Sequence, residues 1–196
     1  VIYDPSAHET ERYLALTESL GFETMGSHTE IKAHGEIPGG YEFPDNIKKI
    51  GIFPAGGENP GTIMPTKRWP GEYWKKLILM LGKEGMRVYV FGAPFDRRLV
   101  DSVSEGTKAV KAICGLEEYA VLVPHLDILI AADTGPLHIA SAIGVPVIGL
   151  FGPSSPAVFG ARGKKSCNIS GSAPCAPCYR PETVPVSYTH LTLPTK

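Results

Sequence analysis

The pattern of apolar and polar positions divides the chain into short apolar runs and segments of helical spacing. The apolar runs span residues 49–53, 87–91, 109–113, 128–132 and 146–150. Segments with apolar residues three or four positions apart span residues 10–20, 70–84, 97–103, 117–123 and 137–143. Uninterrupted apolar runs separated by helices are typical of a parallel sheet covered on both faces. The pattern therefore predicts a Rossmann-like α/β domain, a doubly wound parallel sheet whose ligand lies at the carboxyl ends of the strands.

Changes in residue usage along the chain predict where this domain begins and ends. Residues 26–46 are polar and rich in Gly and Pro, which is typical of a connector. The chain also begins without an initiator Met, so residues 1–46 are predicted to be the remnant of an upstream domain plus this connector. The α/β domain is assigned to residues 47–185. Residues 186–196 continue no periodicity and resemble a translated vector sequence, so they are predicted to be a non-native tail.

Composition and charge exclude several classes of protein. Hydrophobic residues make up 43% of the chain and charged residues 20%, as in globular proteins. With 19 Lys and Arg against 20 Asp and Glu, there is no basic excess for binding a nucleic acid. The richest apolar stretch, residues 120–132, is shorter than the ~20 residues of a membrane span and contains His125 and Asp127. The 4 cysteines are too few and too unevenly placed for a secreted disulfide scaffold, which favours a reducing, cytoplasmic setting.

The first loop with candidate chemistry follows residues 49–53. Gly56 and Gly61 have the spacing of a phosphate loop, but Thr62 stands where such a loop needs a Lys. What remains is a flexible Gly-rich loop that brings Lys67 and Arg68 to the start of a helix, where cations beside free N–H groups can bind an anion. The alternative is a basic pair that only meets solvent.

The second loop follows residues 87–91 and contains Asp96. A carboxylate at the carboxyl end of a strand can accept hydrogen bonds from ribose hydroxyls. Asp96 can equally act as the N-cap of the helix that begins at Arg97.

The third loop, ADTGPLHIA at residues 132–140, carries the sharpest signal because a buried strand leads directly into a helix. Thr134 can cap the helix, Gly135 lets a ligand approach the backbone, and a Pro suits the first turn. The free amides then face a diphosphate, with a neutral His138 beside it. Asp133 would repel phosphate and is better suited to sugar hydroxyls. The alternative is a well-capped helix with a structural His.

Five segments in this order resemble the C-terminal, donor-binding domain of family 9 glycosyltransferases, the ADP-heptose:lipopolysaccharide heptosyltransferases. They are FPA at 53–55, KRWPGEYW at 67–74, VYVFG at 88–92, DTGPLHIA at 133–140 and VPVIGLFGP at 145–153. The resemblance covers about residues 47–182, and the DTGPLH block with the later FGP is its most specific part. It implies the C-terminal half of a two-domain GT-B fold.

The resemblance also implies roles for residues of this chain. Lys67 would contact the diphosphate and Asp96 the ribose. Thr134, Gly135 and Leu137 would cradle phosphate, while Asp133 and His138 would touch the transferred sugar. The donor would be a nucleotide-sugar such as ADP-heptose, bound without a metal, because GT-B enzymes stabilise the leaving diphosphate with cations and helix dipoles.

The resemblance further implies a reaction and a location. An acceptor hydroxyl of a lipopolysaccharide core would attack directly and invert the anomeric centre. The family's catalytic base comes from the N-terminal domain, so no base is assigned here and the chain is expected to be inactive alone. The protein is expected to be cytoplasmic, with a glycolipid acceptor at the inner membrane face. Two other functions stay open, namely a non-catalytic nucleotide-binding module and a GT-B sugar-nucleotide epimerase or hydrolase.

Cys175 and Cys178 form a C-x-x-C pair, which is the spacing of half of a zinc site. A single pair cannot complete four-coordinate zinc, and Cys167 is the one other cysteine near it in the sequence. A structural loop or free thiols are therefore predicted.

Overall fold

The computed structural model describes residues 4–26, 29–59 and 62–179. Its strands are β1 (Lys49–Phe53), β2 (Glu58–Asn59), β3 (Thr62–Ile63), β4 (Arg87–Gly92), β5 (Val110–Ile113), β6 (Ile128–Ala132), β7 (Val147–Phe151) and β8 (Ser166–Ser170). Its α-helices are α1 (Glu9–Ser19), α2 (Gly71–Lys83), α3 (Arg97–Ser104), α4 (Leu116–Leu122), α5 (Gly135–Ile143) and α6 (Pro156–Phe159). The predicted tail, residues 186–196, lies outside the described residues.

The main sheet has six strands in the order β5-β4-β1-β6-β7-β8, and every neighbouring pair is parallel. Along the chain, this is the order third, second, first, fourth, fifth, sixth, which defines a doubly wound nucleotide-binding sheet. The direction of winding reverses between β1 and β6, and a crevice opens there at the carboxyl ends of the strands. The predicted fold class is confirmed.

Successive residues of the central strands pack into two separate hydrophobic cores, one on each face of the sheet. Ile52 and Val90 pack with Trp74 and Ile78 of α2 on one face. The next residue along each strand faces the opposite side of the sheet. There Phe53 packs in a core that includes residues of α4 and α5. Because both faces are covered, the strands are apolar throughout, which is why their sequence shows no alternation.

The predicted helices and strands lie within two residues of the observed ones. The largest difference is α5, which begins at Gly135 rather than at Leu137. The prediction of a flexible loop after β1 is wrong in part, because β2 and β3 pair there as an antiparallel hairpin. Gly57 enters this hairpin with φ +71, and a Cβ on it would lie 2.2 Å from the Met64 carbonyl oxygen, so glycine is required.

The strand β8 was not predicted from the sequence. It pairs with β7 at the edge of the sheet, and its residues are mostly polar and all at least partly exposed. An edge strand buries little, so it lacks the apolar run that marks the other strands.

The segment before β1 lies on the α/β domain. The Ile31 amide donates to the Ala142 carbonyl, 3.0 Å away. The Phe43 ring stacks on Tyr89 with centroids 4.8 Å apart. The division of the chain at residue 46 stays a prediction. In the described ranges, no helix has both the length and the hydropathy needed to cross a membrane.

Candidate functional site

A cavity of about 640 Å³ opens at the crevice predicted by the strand order. It is bounded by the segments that follow β1, β4, β5 and β6, because parallel strands all end at this edge. Six of the seven residues proposed from the sequence line it: Lys67, Asp96, Asp133, Thr134, Gly135 and His138. The three loops singled out in the sequence therefore meet in one place.

Lys67 and Asp133 form an ion pair in the wall of this cavity. The Lys67 Nζ lies 2.7 Å from Asp133 Oδ2, and their side chains are 12% and 8% exposed. The same carboxylate oxygen accepts a hydrogen bond from the Ser154 hydroxyl at 2.6 Å. The Lys67 ammonium also lies 5.1 Å from the ring centroid of Tyr179. The lysine is therefore held in one position rather than extending into solvent.

Asp133 is charged at neutral pH in spite of its burial. Burial by itself raises the pKa of a carboxyl group, but His138, the Lys67 ammonium and the Ser154 hydroxyl outweigh it and hold the pKa of Asp133 below its ordinary value. The His138 Nε2 lies 3.7 Å from Asp133 Oδ1, which is too long for a direct hydrogen bond in this conformation. The cavity wall thus contains a fixed pair of opposite charges beside an imidazole.

The start of α5 forms the floor of the cavity next to this pair. Thr134 occupies the N-cap position, although its hydroxyl makes no capping hydrogen bond, so that part of the prediction is wrong. A Cβ placed on Gly135 would meet nothing within 4 Å, which shows that the space in front of this backbone is open. An anion placed there would meet the Gly135 amide and the positive end of the helix dipole.

The hydroxyl of Tyr119 fixes this helix start from the side of α4. It donates to the Pro136 carbonyl at 3.0 Å, and burial raises the pKa of the phenol well above its usual range. Cys114, which also lines the cavity, has a pKa raised to about 11 by burial. Its thiol is therefore protonated at neutral pH and is not activated as a nucleophile.

Asp96 lies at the rim of the cavity after β4. Its carboxylate accepts a hydrogen bond from the Ala93 amide at 2.9 Å, and it makes no capping bond to α3. The N-cap alternative is therefore wrong in detail, because the carboxylate caps the turn before it instead. Beside Asp96 the wall is apolar, with Phe95 79% and Leu116 60% exposed.

Leu137 is the one proposed residue that does not line the cavity. Its side chain is fully buried in the core beneath α5, and its amide donates to the Thr134 carbonyl at 3.1 Å. Neither group is open to a ligand, so the structure does not support a direct phosphate contact for Leu137.

Sequence reasoning missed several contributors to the site. Ser154 follows β7 and is 1% exposed, and the signal for it was a pair of serines that begins three residues after the last residue of a strand. Tyr179 and Phe159 lie against the Lys67 ammonium from much later in the chain. These rings gave no local signal, because their role depends on where α6, which ends at Phe159, and the segment after β8, which contains Tyr179, fold.

The cysteine pair lies on the segment that follows β8. Cys175 is exposed, Cys178 is half-buried, and neither forms a disulfide. Across residues 4–26, 29–59 and 62–179, no group of three or more His, Cys, Asp and Glu side chains could hold a metal ion.

Comparisons with known proteins point to one family. The family model described as glycosyltransferase family 9 (heptosyltransferase) matches residues 4–188. Lipopolysaccharide heptosyltransferase 1 of Pseudomonas aeruginosa is 34% identical over 132 residues, which are 61% of this chain and 35% of that protein. Lipopolysaccharide heptosyltransferase 3 of Escherichia coli K12 is 33% identical over 157 residues, 74% of this chain and 44% of its own length.

Solved structures of the same family share the fold. The family 9 glycosyltransferase from Veillonella parvula superimposes with a TM-score of 0.73 at 27% identity, covering 88% of this chain and 52% of that one. The E. coli heptosyltransferase WaaC, solved with ADP, gives a TM-score of 0.56 at 26% identity, covering 66% of this chain and 40% of that one. The chain thus spans about a third to a half of the length of the relatives it matches.

Proposed function

The chain belongs to glycosyltransferase family 9, and we propose that it supplies the part of such an enzyme that binds the nucleotide-sugar donor. The proposed donor is ADP-heptose, since a relative of the same fold has been solved with ADP and with ADP-2-deoxy-2-fluoro heptose. The proposed acceptor is a lipopolysaccharide core sugar, after the names of the relatives.

The lining of the cavity offers a partner for each part of a nucleotide-sugar. Phe95 and Leu116 offer an apolar surface for the base, and Asp96 beside them accepts from ribose hydroxyls. The start of α5 at Gly135 faces the diphosphate. Asp133 and His138, which also line the cavity, are assigned to the sugar.

One observation carries the proposal. A lysine with a side chain only 12% exposed is paired to a buried carboxylate at the open start of a helix, in a cavity at the switch point of the sheet. An ammonium has three N–H donors, and Asp133 accepts one of them, so the pair positions Lys67 to donate to a diphosphate as well. Positive charge fixed there stabilises the negative charge that develops on the leaving diphosphate.

The geometry also limits what the described residues do in the transfer. Asp133 is held by Lys67 and Ser154 and has a lowered pKa, so it is a weak base. We therefore assign Asp133 to orienting the sugar rather than to removing a proton from the acceptor. The base that deprotonates the acceptor hydroxyl is proposed to come from another domain of the full enzyme. The full enzyme is proposed to act in the cytoplasm.

Isothermal calorimetry with ADP tests the proposal. Wild-type chain is expected to bind ADP, and Lys67→Ala to bind it about tenfold or more weakly, because a charge-assisted hydrogen bond contributes about 1.5–3 kcal/mol. Lys83→Ala is the matched control, since Lys83 is exposed at the far end of α2. Equal ADP affinity in the wild type and Lys67→Ala, with both proteins folded, would refute the assigned diphosphate site.

A further inference from the structure

The charges of the ionisable side chains that line the donor cavity cancel one another. Two cations and two carboxylates line it, namely Lys67, Arg68, Asp96 and Asp133. Cys114 and Tyr119 also line it, but burial raises the pKa of both groups and keeps them protonated at neutral pH. The remaining ionisable group among the described lining residues is the imidazole of His138. The described wall therefore carries no net charge as long as this imidazole is neutral.

A diphosphate bound at the start of α5 would upset this balance. The diphosphate of a nucleotide-sugar carries two negative charges at neutral pH, and a partly enclosed cavity screens charges less than open water does. The dipole of α5 offsets only about half of one charge. An imidazole is the side chain that gains a proton most readily near neutral pH. The charge of the ligand therefore favours proton uptake by His138.

The position of His138 lets a charged imidazole meet both the ligand and Asp133. His138 follows Gly135 by three positions in α5, so the two residues lie on the same face of the helix. Its Nε2 lies 3.7 Å from Asp133 Oδ1, and its side chain is 42% exposed, so the ring has room to turn and close this distance to a charge-assisted hydrogen bond. An imidazolium donates from both nitrogens, which leaves the Nδ1 N–H for the diphosphate.

The groups on the other side of His138 add to this preference. His138 also lines a second cavity of about 550 Å³ between α1 and α5. The charged residues there, with a net excess of one carboxylate, are Glu9, Glu30 and Arg162. His8 is the other imidazole of this cavity, but burial lowers its pKa, and its two ring nitrogens contact the Gly160 carbonyl and the Thr10 amide. The proton uptake is therefore assigned to His138 rather than to His8.

We propose that His138 compensates the charge of the donor diphosphate: its imidazole takes up a proton when the donor binds and donates a hydrogen bond to the diphosphate during the transfer. The inference rests on the proposed function, because the charge that drives the uptake belongs to the donor. It gives His138 a second task besides the contact with the sugar.

The charges of the transfer step explain why this proton is useful. The acceptor oxygen bonds to the anomeric carbon and releases its proton to the base proposed on another domain. The bond from that carbon to the phosphate oxygen breaks, and its electron pair stays on the phosphate oxygen. The leaving diphosphate thus gains one negative charge, which the imidazolium and the Lys67 ammonium stabilise together.

Calorimetry in two buffers of different ionisation enthalpy counts the protons that binding takes up, because the buffer supplies them. The probe is ADP-2-deoxy-2-fluoro heptose, whose diphosphate is esterified at both ends and does not itself titrate near neutral pH. At about pH 7.5 the wild-type chain is expected to take up about half a proton or more per ligand, so its affinity should fall about fivefold or more between about pH 6.5 and 8.5. In His138→Gln the uptake should vanish, and the affinity should be independent of pH over the same range.

Nitrogen-15 NMR of the imidazole ring locates the proton. Both ring nitrogens of His138 should be protonated in the complex at about pH 7.5, which a residue that only shapes the cavity would not show. His34→Gln is the matched control for the calorimetry and should keep the full uptake, because His34 is exposed and lines neither cavity.

Uptake that persists in His138→Gln, or that is lost in His8→Gln instead, would overturn the assignment. Binding of the probe to the wild type without proton uptake would overturn it as well, while leaving the proposed donor site intact. A wild-type chain that does not bind the probe at any of these pH values would refute the proposed function, and the role of His138 with it.

Discussion

Two ion pairs of almost equal length occupy very different parts of the molecule. Lys67 and Asp133 lie 2.7 Å apart at the carboxyl edge of the sheet, with side chains 12% and 8% exposed. Lys111 and Asp101 lie 2.6 Å apart between β5 and α3, with side chains 48% and 49% exposed. The first pair has a serine, an imidazole and two aromatic rings around it, whereas solvent reaches much of the second.

The comparison shows that the distance between charges does not identify a site. Water screens the exposed pair, so it contributes about 0–1 kcal/mol and its loss matters little. The buried pair has given up its hydration, so each charge depends on the other. The first pair also lines the cavity at the start of α5 and the second does not, which is why the first pair is assigned to the donor.

The largest expected effect comes from removing one carboxylate of each pair. Asp133→Ala leaves the Lys67 ammonium buried without its partner, and we expect the free energy of unfolding to fall by about 2–4 kcal/mol. Asp101→Ala is the matched control and should change it by less than about 1 kcal/mol. Urea denaturation of the two variants measures both changes. Similar losses in both would mean that burial does not distinguish the pairs.

The pH dependence of stability sharpens the same comparison. Because the pKa of Asp133 is held below its ordinary value of 3.8, the folded protein favours the ionised form. The stability it contributes is present above that ordinary value and is lost as the pH falls through the lowered pKa. The difference in unfolding free energy between the wild type and Asp133→Asn should be constant above about pH 5 and shrink below it. A difference that stays constant into strong acid would contradict the assigned ionisation.

A smaller effect is expected from Ser154, which holds Asp133 without carrying charge. Ser154→Ala removes a hydrogen bond to a carboxylate, so we expect the free energy of unfolding to fall by about 1.5–3 kcal/mol. ADP affinity should fall in part, because Asp133 is then held less firmly in position. Ser155→Ala, at the next position, is the control. Calorimetry that gives the same ADP affinity for both variants would show that Asp133 keeps its place without the Ser154 hydroxyl.

The smallest effect concerns the start of α1, where His8 is the N-cap residue. Burial lowers the pKa of His8, and its neutral ring accepts the Thr10 amide. The stability that His8 contributes is therefore present above its ordinary pKa of 6.5 and is lost as the pH falls through the lowered value. The protection of the Thr10 amide, after correction for the intrinsic pH dependence of amide exchange, should fall on acidification, while protection in α2 stays unchanged. Equal loss of protection in both helices would indicate general unfolding rather than loss of the N-cap of α1.

Much of the fold could be predicted because its strands are buried on both faces. Such strands need apolar residues at every position, and the runs at β1 and β6 matched the observed bounds. The polar strand β8 was not predicted, because an edge strand buries little side-chain surface and so needs no apolar run. The apolar spacing marked α5 only from Leu137, because Gly135 and Pro136 add nothing to that spacing, whereas the cap position of Thr134 and the Pro in the first turn indicated the earlier start.

The site could be predicted as far as strand ends determine it. Lys67, Asp96 and Asp133 follow different strands, and parallel strands bring their ends to one edge. The pairing of Lys67 with Asp133 could not be predicted from the sequence, because it depends on the hairpin that turns the chain back before α2. The same holds for Ser154, whose hydroxyl reaches Asp133 across the end of β7.

The most direct test of the central claim is an amide NMR titration of the chain with ADP, which reports on both regions at once. The account predicts saturable shifts for the amides of Thr134, Gly135 and Lys67, and no shifts for Asp101 and Lys111. Saturable shifts centred on Asp101 and Lys111, or an absence of shifts at Gly135 while ADP binds, would contradict it.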